Sequence, residues 1–364
     1  MLRAALVGFA SSGKTTLFQL MTSVKDAPKG KGDVAIGISK VPDPRLDTLT
    51  AMYNPRKRVP ATVEFTDIIA AARSGAGAQA LVDVAAYKNA DALVHVVRAF
   101  RDASIPHPSG SIDPARDAQA MEDELILADL GVVERRLERI EKDLKKSRTA
   151  DLEKERDLVE RCKTALEEGR PLRALELTGD DLKRLRGFQL LSAKPLLLVI
   201  NLDESDLGQI GASVEKAAEK TGLSQFLAHA ATGAVAVCAR IELEIAQLEG
   251  GDAAAFLSDL GLTESGLDRV IRATYELLGY ISFLTVGEDE CRAWSIARHT
   301  SAHLAAGEIH SDIQRGFIRA EVVSYDALIA RGSMQACKEH GEVRLEGKEY
   351  IVQDGDIINF RHAT

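Results

Sequence analysis

The chain has 364 residues, 45% of them hydrophobic and 28% charged, and a formal net charge of -9. That length suits two or three domains, each with its own core, and the composition is that of an ordinary globular chain. The acidic balance excludes a protein that coats nucleic acid by bulk charge, though not one with a local basic patch, and no apolar run reaches membrane-spanning length.

Residues 2–7 read as a short buried strand that starts at the N-terminus, which leaves no room for a signal peptide. Next comes Gly8-Phe9-Ala10-Ser11-Ser12-Gly13-Lys14-Thr15-Thr16, which fits the P-loop spacing of Gly, four free positions and Gly-Lys-Ser/Thr. Gly8 and Gly13 let the backbone fold back so that its N–H groups face phosphate oxygens. Lys14 supplies a mobile charge for the β- and γ-phosphates, and the Thr15 hydroxyl can ligate Mg²⁺. A helix over 15–21 adds the attraction of its N-terminus for anions. A chance glycine-rich turn would lack that flanking strand and helix.

Residues 25–45 are polar, interrupted by Pro28, Gly30, Gly32 and Gly37, and read as a loop. A second strand over 59–67 ends on Asp67, placed to hold Mg²⁺ through water. Residues 74–78 form a glycine-rich break, and 92–97 a buried parallel strand. This order predicts a doubly wound α/β sheet. Between 118 and 170 the character changes. Ile126, Leu130, Val133, Leu137, Ile140 and Leu144 follow the four- and three-residue steps of a coiled-coil seam, and Leu152, Val159 and Leu166 continue with a period of seven after a polar break. Two long antiparallel helices are expected. Their charged positions, among them Arg135, Arg139, Lys142 and Lys146, read as a solvated face, with a nucleic-acid or ribosome contact as the alternative.

The sheet pattern resumes with an apolar strand over 194–200 ending at Asn201, and a shorter one over 234–238. Residues 250–266 are turn-rich, and 267–278 read as a helix. From Gly279 onward short strands are expected at 281–286, 291–296, 316–323, 343–345 and 349–352. A last one at 357–360 follows the Asp354-Gly355-Asp356 turn, and together these make a small α+β domain. Cys162, Cys238, Cys291 and Cys337 show no C-x-x-C spacing and read as reduced thiols in a cytoplasmic compartment.

Asn201-Leu202-Asp203-Glu204 stands where a guanine-specific switch carries Asn-Lys-x-Asp. Leu202 replaces the basic residue that covers the base. Glu204 is one methylene longer than Asp and misplaces the acceptor pair for the guanine edge, so weak or absent guanine selectivity is expected.

With those residues in view, the chain resembles the YchF/Obg-like ATPase family, within the Obg branch of P-loop GTPases. The resemblance spans essentially the whole length. Its markers are Gly13-Lys14-Thr15-Thr16-Leu17-Phe18, Pro42-Asp43-Pro44-Arg45, Asn201-Leu202-Asp203-Glu204, Gly316-Phe317-Ile318-Arg319-Ala320, and the run from Gly347 to Asp356. It implies a P-loop NTPase sheet with an inserted antiparallel helical hairpin and a C-terminal β-grasp (TGS) domain. The division expected is a nucleotide domain in two parts, 1–116 and 186–278, a helical insertion at 117–185, and the TGS-like domain at 279–364. The resemblance also implies hydrolysis of ATP in preference to GTP with Mg²⁺, a ribosome or ribosomal RNA partner, and a role in translation or stress control. His107, in Ile105-Pro106-His107-Pro108, matches the family's histidine that replaces the usual hydrolytic glutamine.

The chain also departs from the family. Ala10-Ser11-Ser12 replaces Pro-Asn-Val, Lys31 or Gly32 stands where switch I offers a threonine, and Asp67-Ile68-Ile69-Ala70 replaces Asp-x-x-Gly. The nucleotide contacts expected are Gly8, Ser11, Ser12, Gly13, Lys14, Thr15 and Thr16 from the loop, Asn201, Leu202 and Glu204 from the base-reading segment, and Cys238 and Ala239 beyond the next strand. Thr15 and Asp67 are the metal positions, with Lys14 and His107 the catalytic ones. Two functions compete: a slow NTPase acting on the ribosome, and a nucleotide-binding regulatory module with little turnover. An RNA-binding adaptor is a weaker third. No membrane partner is expected, and the chain reads as a monomer.

Overall fold

The computed structural model describes residues 2–24, 34–68, 87–248 and 251–363. The Lys31, Gly32, Ala70, Gly75 and Gly77 positions of the two switch regions lie outside them. The first part runs β1 (Leu2–Val7), α1 (Lys14–Thr22), β2 (Val34–Lys40), α2 (Pro44–Tyr53), β3 (Lys57–Val59), β4 (Thr62–Ile68) and β5 (Ala92–Arg98). After two long helices come β6 (Leu196–Asn201) and β7 (Thr232–Val237). The first sheet has the order β2-β4-β1-β5-β6-β7. β1 pairs with β5, β5 with β6, and β6 with β7, all parallel. Every residue of β5 and of β6 is buried, as strands covered by helices on both faces must be. The register sets Val7 beside His95, and Arg98 beside Asn201, so the carboxyl ends of these strands converge, where ligands bind in such sheets.

Two expectations fail at the sheet's edge. Residues 34–40 form a strand, not part of a loop, and α2 starts at Pro44 with Asp43 as its cap. The strand alternates exposed and buried positions, but Gly37 hid the pattern in the sequence. A side chain there would put Cβ 2.4 Å from Thr22 Cβ, so the glycine exists to let β2 lie against α1. The strand expected at 59–67 is really two, β3 and β4, which join different sheets. Pro60, with no N–H to donate, falls in the break.

The hairpin helices are Pro114–Lys146 and Ala150–Glu167, capped by Asp113 and Thr149. Ile126, Val133, Ile140, Val159 and Leu166 are buried between them with Leu158 and Cys162, and Leu130, Leu137 and Leu144 flank that core. The Arg136 guanidinium grips Glu155 across the pair at 2.7 and 2.8 Å. At the root, Arg173 donates to both oxygens of Glu122 at 2.7 Å, with both side chains buried. Residues 252–259, expected as turns, are a helix.

The described chain forms two units, one of Leu2–Ile38 with Glu64–Leu277, the other of Ser39–Val63 with Leu278–Thr364. In the second, β8 (Tyr280–Thr285), β9 (Glu290–Ala297), β10 (Phe317–Ser324), β11 (Arg344–Glu346) and β12 (Asp356–His362) build a mixed sheet ordered β11-β10-β12-β8-β9-β3. Helix Ala302–Ile309 closes its core on Phe283, Ile296, Val322, Ile358 and Phe360, a β-grasp arrangement. The strand expected at 349–352 is only a bridge between Ile351 and Ser301.

Two of the sequence markers meet in this unit. Arg45 donates to both Asp43 oxygens at 2.9 Å and to Asp354 at 2.8 Å, and Asp354 also accepts the Ser282 N–H at 2.9 Å. A Cβ on Gly355 would come 2.6 Å from the same guanidinium. Arg45→Ala is expected to cost about 1–2 kcal/mol, less than a fully buried pair because Asp354 is half exposed. Urea unfolding of the full chain measures it; unchanged stability would mean that these contacts hold nothing together.

Candidate functional site

Between β1 and α1 the loop is built as its spacing requires. Gly8 and Gly13 take φ of +137° and +97°. A Cβ on Gly8 would stand 2.5 Å from the Val96 carbonyl oxygen, so only glycine fits. Lys14 is buried and its ammonium donates back to the Gly8 and Phe9 carbonyls at 2.8 and 2.7 Å. Burial lowers its pKa to about 8, against the opposing pull of Asp67. A phosphate placed in the loop would supply the counter-charge that this cation lacks. His95, fully buried beneath the loop, is pushed down to about 3 by burial, then by Lys14 and Arg173, and is neutral.

The Thr15 hydroxyl donates to Asp67 Oδ2 at 2.8 Å. Asp67 is 1% exposed, and its other oxygen is buried with no hydrogen-bond partner. A hydroxyl and an orphaned carboxylate oxygen are hard donors of the kind Mg²⁺ takes, so these residues fit a divalent cation completed by phosphate and water oxygens. Among the described residues there is no cluster of three or more His, Cys, Asp or Glu able to hold a metal by themselves.

Asn201 locks the loop from the next strand but one. Its amide donates to the Ser12 carbonyl at 3.0 Å and accepts the Ala239 N–H at 3.0 Å. The cavity that opens here has a volume of about 890 Å³. Ser11, Gly13, Lys14, Thr15, Thr16, Asn201, Leu202, Glu204, Cys238 and Ala239 all line it. Gly8 and Ser12 do not; Gly8 shapes the turn, and the Ser12 side chain is buried without a partner for its hydroxyl. Leu202 is 1% exposed and belongs to the core of the sheet, whereas Glu204 is exposed at the rim. Burial raises the Cys238 thiol, which stays protonated.

One wall went unread in the sequence: Phe100, Arg101, Asp102 and Ile105. Its organiser is Arg98, 2% exposed at the end of an apolar strand, which donates to the Phe100, Asp102 and Ile105 carbonyls at 3.3, 3.4 and 2.8 Å. Asp203 ties this wall to the base-reading segment by accepting the Arg101 N–H at 3.0 and 3.2 Å. A charged residue closing an otherwise apolar run was the available signal. His107 follows in the same loop but does not line the cavity. Its ring lies 6.2 Å from the Phe9 ring, centroid to centroid.

Among the described residues no helix is long and apolar enough to cross a membrane. The family YchF-GTPase_C, described as "Protein of unknown function (DUF933)", matches residues 280–363. "Ribosome-binding ATPase YchF" of Bacillus subtilis (strain 168) is 42% identical over 366 residues, covering 99% of each chain. "Obg-like ATPase 1" of Oryza sativa subsp. japonica is 33% identical, covering 99% of this chain and 92% of the relative. The solved structure described as "Structure of the Schizosaccharomyces pombe YchF GTPase" superposes with a TM-score of 0.83 at 28% identity, covering 99% of this chain and 97% of that one.

Proposed function

The chain belongs to the YchF family, and from that premise we propose that it binds ATP in the cavity between the P-loop and Asn201, hydrolyses it slowly, and associates with the ribosome. The observation that carries the reading is the cradle, in which a desolvated Lys14 is held only by neutral backbone carbonyls and the Thr15–Asp67 pair leaves one buried carboxylate oxygen without a partner. Mg²⁺ held by Thr15 and Asp67 would neutralise charge on the β- and γ-phosphates. The remaining chemistry is water attack on the γ-phosphorus, with the bond to the bridging oxygen breaking and ADP leaving. His107 is the residue assigned to orient that water.

Adenine preference, or near-indifference to the base, follows from Glu204 at the rim and Leu202 turned into the core. Competition of labelled ATP by unlabelled GTP measures it. GTP is expected to compete no better than ATP, and a GTP preference of roughly a hundredfold, about 2.7 kcal/mol, would overturn the assignment. The ribosome association draws on the name of the relatives, and phosphate release with and without ribosomes tests it.

One observation favours a second reading, a nucleotide-binding regulatory module with little turnover. The His107 side chain is 2% exposed and stands outside the cavity lining. Nucleotide binding without measurable phosphate release, with or without ribosomes, would select that reading.

A further inference from the structure

His107 is enclosed although its loop is at the surface. Its Nδ1 accepts the Ser109 N–H at 3.1 Å. That assignment leaves the ring proton on Nε2. Nε2 lies 2.8 Å from Asp117 Oδ2, with both side chains no more than 3% exposed. The two atoms approach without the alignment of a hydrogen bond, so the contact is electrostatic. Asp117 is itself held. Its Oδ1 accepts from Arg116 Nε at 3.0 Å and Nη2 at 2.8 Å, and Arg116 also donates to the Ser111 carbonyl and hydroxyl at 2.7 and 2.9 Å. Asp113 caps the same turn by accepting the Arg116 N–H at 3.0 Å. The loop from His107 to Asp113 is thereby fastened to the first turn of the 33-residue hairpin helix.

A ring in this state has nothing to offer an attacking water. The Nδ1 lone pair is occupied by Ser109, and Nε2, the protonated nitrogen, is enclosed beside a buried carboxylate. We propose that Asp117 is the positioning residue of His107, and that it holds the imidazole parked beside the P-loop and out of the nucleotide cavity. The inference rests on the reading of His107 as the residue that orients water. Asp117 is not a catalytic residue, since it touches neither the cradle nor the cavity wall. It acts on turnover only through the ring that it restrains. The low intrinsic rate expected of this chain then has a specific source, which is the fraction of molecules whose ring is parked.

The test is single-turnover ATP hydrolysis by the full chain with Mg²⁺, comparing wild type, Asp117→Asn, His107→Ala and the double variant. Asn keeps the size of the side chain and removes the charge that attracts Nε2. Asp117→Asn is expected to raise turnover by about three- to tenfold as the parked population is released, with ATP affinity unchanged. The double variant should return to the rate of His107→Ala alone, a dependence that a merely structural role would not produce. Imidazole nitrogen NMR of the wild type adds a measurement that needs no variant. It should report an unprotonated Nδ1 and an Nε2 proton slow to exchange, and Asp117→Asn should lose that slow exchange. A fall in turnover to the His107→Ala level would show that Asp117 assists the ring instead of restraining it, and would overturn the proposal. So would unchanged turnover in a folded Asp117→Asn protein while His107→Ala is impaired, and in that case the role of His107 would stand. If His107→Ala hydrolyses as fast as wild type, the role of His107 fails and this inference fails with it.

Discussion

Lys14→Ala is expected to weaken ATP binding at least tenfold, about 1.4 kcal/mol, while the protein without nucleotide keeps its fold. The ammonium is already desolvated and held only by two backbone carbonyls, so burial has been paid before any ligand arrives. A bound triphosphate would exchange those neutral acceptors for charged ones, and this gain is what alanine forfeits. Lys14→Arg should not restore it. A planar guanidinium cannot replace a compact ammonium that reaches two carbonyls only six and five residues back along the chain. Titration of a non-hydrolysable ATP analogue by calorimetry, beside thermal melts without nucleotide, separates binding from folding. Unchanged affinity in a folded Lys14→Ala protein would remove the P-loop as the functional site.

How much of this was legible in the sequence follows from the range over which each feature is encoded. β1, β5 and β6 are largely apolar runs, and the chain needs nothing distant to make them strands. The P-loop is likewise local, a spacing of residues that meet each other within one turn. β2 was missed because its defining residue, Gly37, answers to the side chain of Thr22 across the layer, and no local pattern records that contact. The boundary between β3 and β4 was missed for the same reason. Lys57 pairs with Glu290, more than two hundred residues away in sequence, so only the assembled sheet reveals the switch.

The site divides in the same way. Lys14, Thr15 and Asp67 could be named from sequence because their chemistry is tied to position along one strand and one loop. The role of Asn201 could not. The sequence suggested a base-reading residue; the structure sets Asn201 in the cavity lining and adds hydrogen bonds between its amide and Ser12 and Ala239 that hold two loops together. Leu202 was read as standing where a basic residue would cover the base, and its side chain, just past the end of β6, is buried in the core of the sheet. His107 was named only by its match to the family's hydrolytic histidine, and nothing local in the sequence shows what holds its ring. Its neighbour there is Asp117, 2.8 Å from the ring at the start of a helix that the sequence marks only by its apolar seam.

That clamp makes Asn201 the second position where a large effect is expected. Its Nδ2 and Oδ1 serve the Ser12 carbonyl and the Ala239 N–H, each at 3.0 Å and buried. Alanine would strand both backbone groups, at about 1–3 kcal/mol for each that water fails to reach. Loosening the P-loop at Ser12 should also spoil the phosphate cradle, because Gly13 and Lys14 follow directly. Asn201→Ala is therefore expected to lose about 2–4 kcal/mol of stability without nucleotide and at least tenfold in ATP affinity. Asn201→Asp should be worse than alanine in the loop, since a carboxylate facing the Ser12 carbonyl replaces attraction by repulsion. Gly13→Ala approaches the same contact from the other side. Its Cβ would stand 2.5 Å from Asn201 Nδ2, on a residue whose φ is +97°. Glycine alone suits that backbone, so pushing the amide aside should reproduce the binding defect of Asn201→Ala. Urea unfolding without nucleotide reads the structural part of each change, and calorimetric titration of the ATP analogue reads the rest. If Asn201→Ala lowers stability but binds the analogue as wild type does, the amide is only a fastening between β6 and the residues after β7. Loss of affinity in both Asn201→Ala and Gly13→Ala, beyond what their stability predicts, would place the shape of the phosphate cradle under the control of this one side chain.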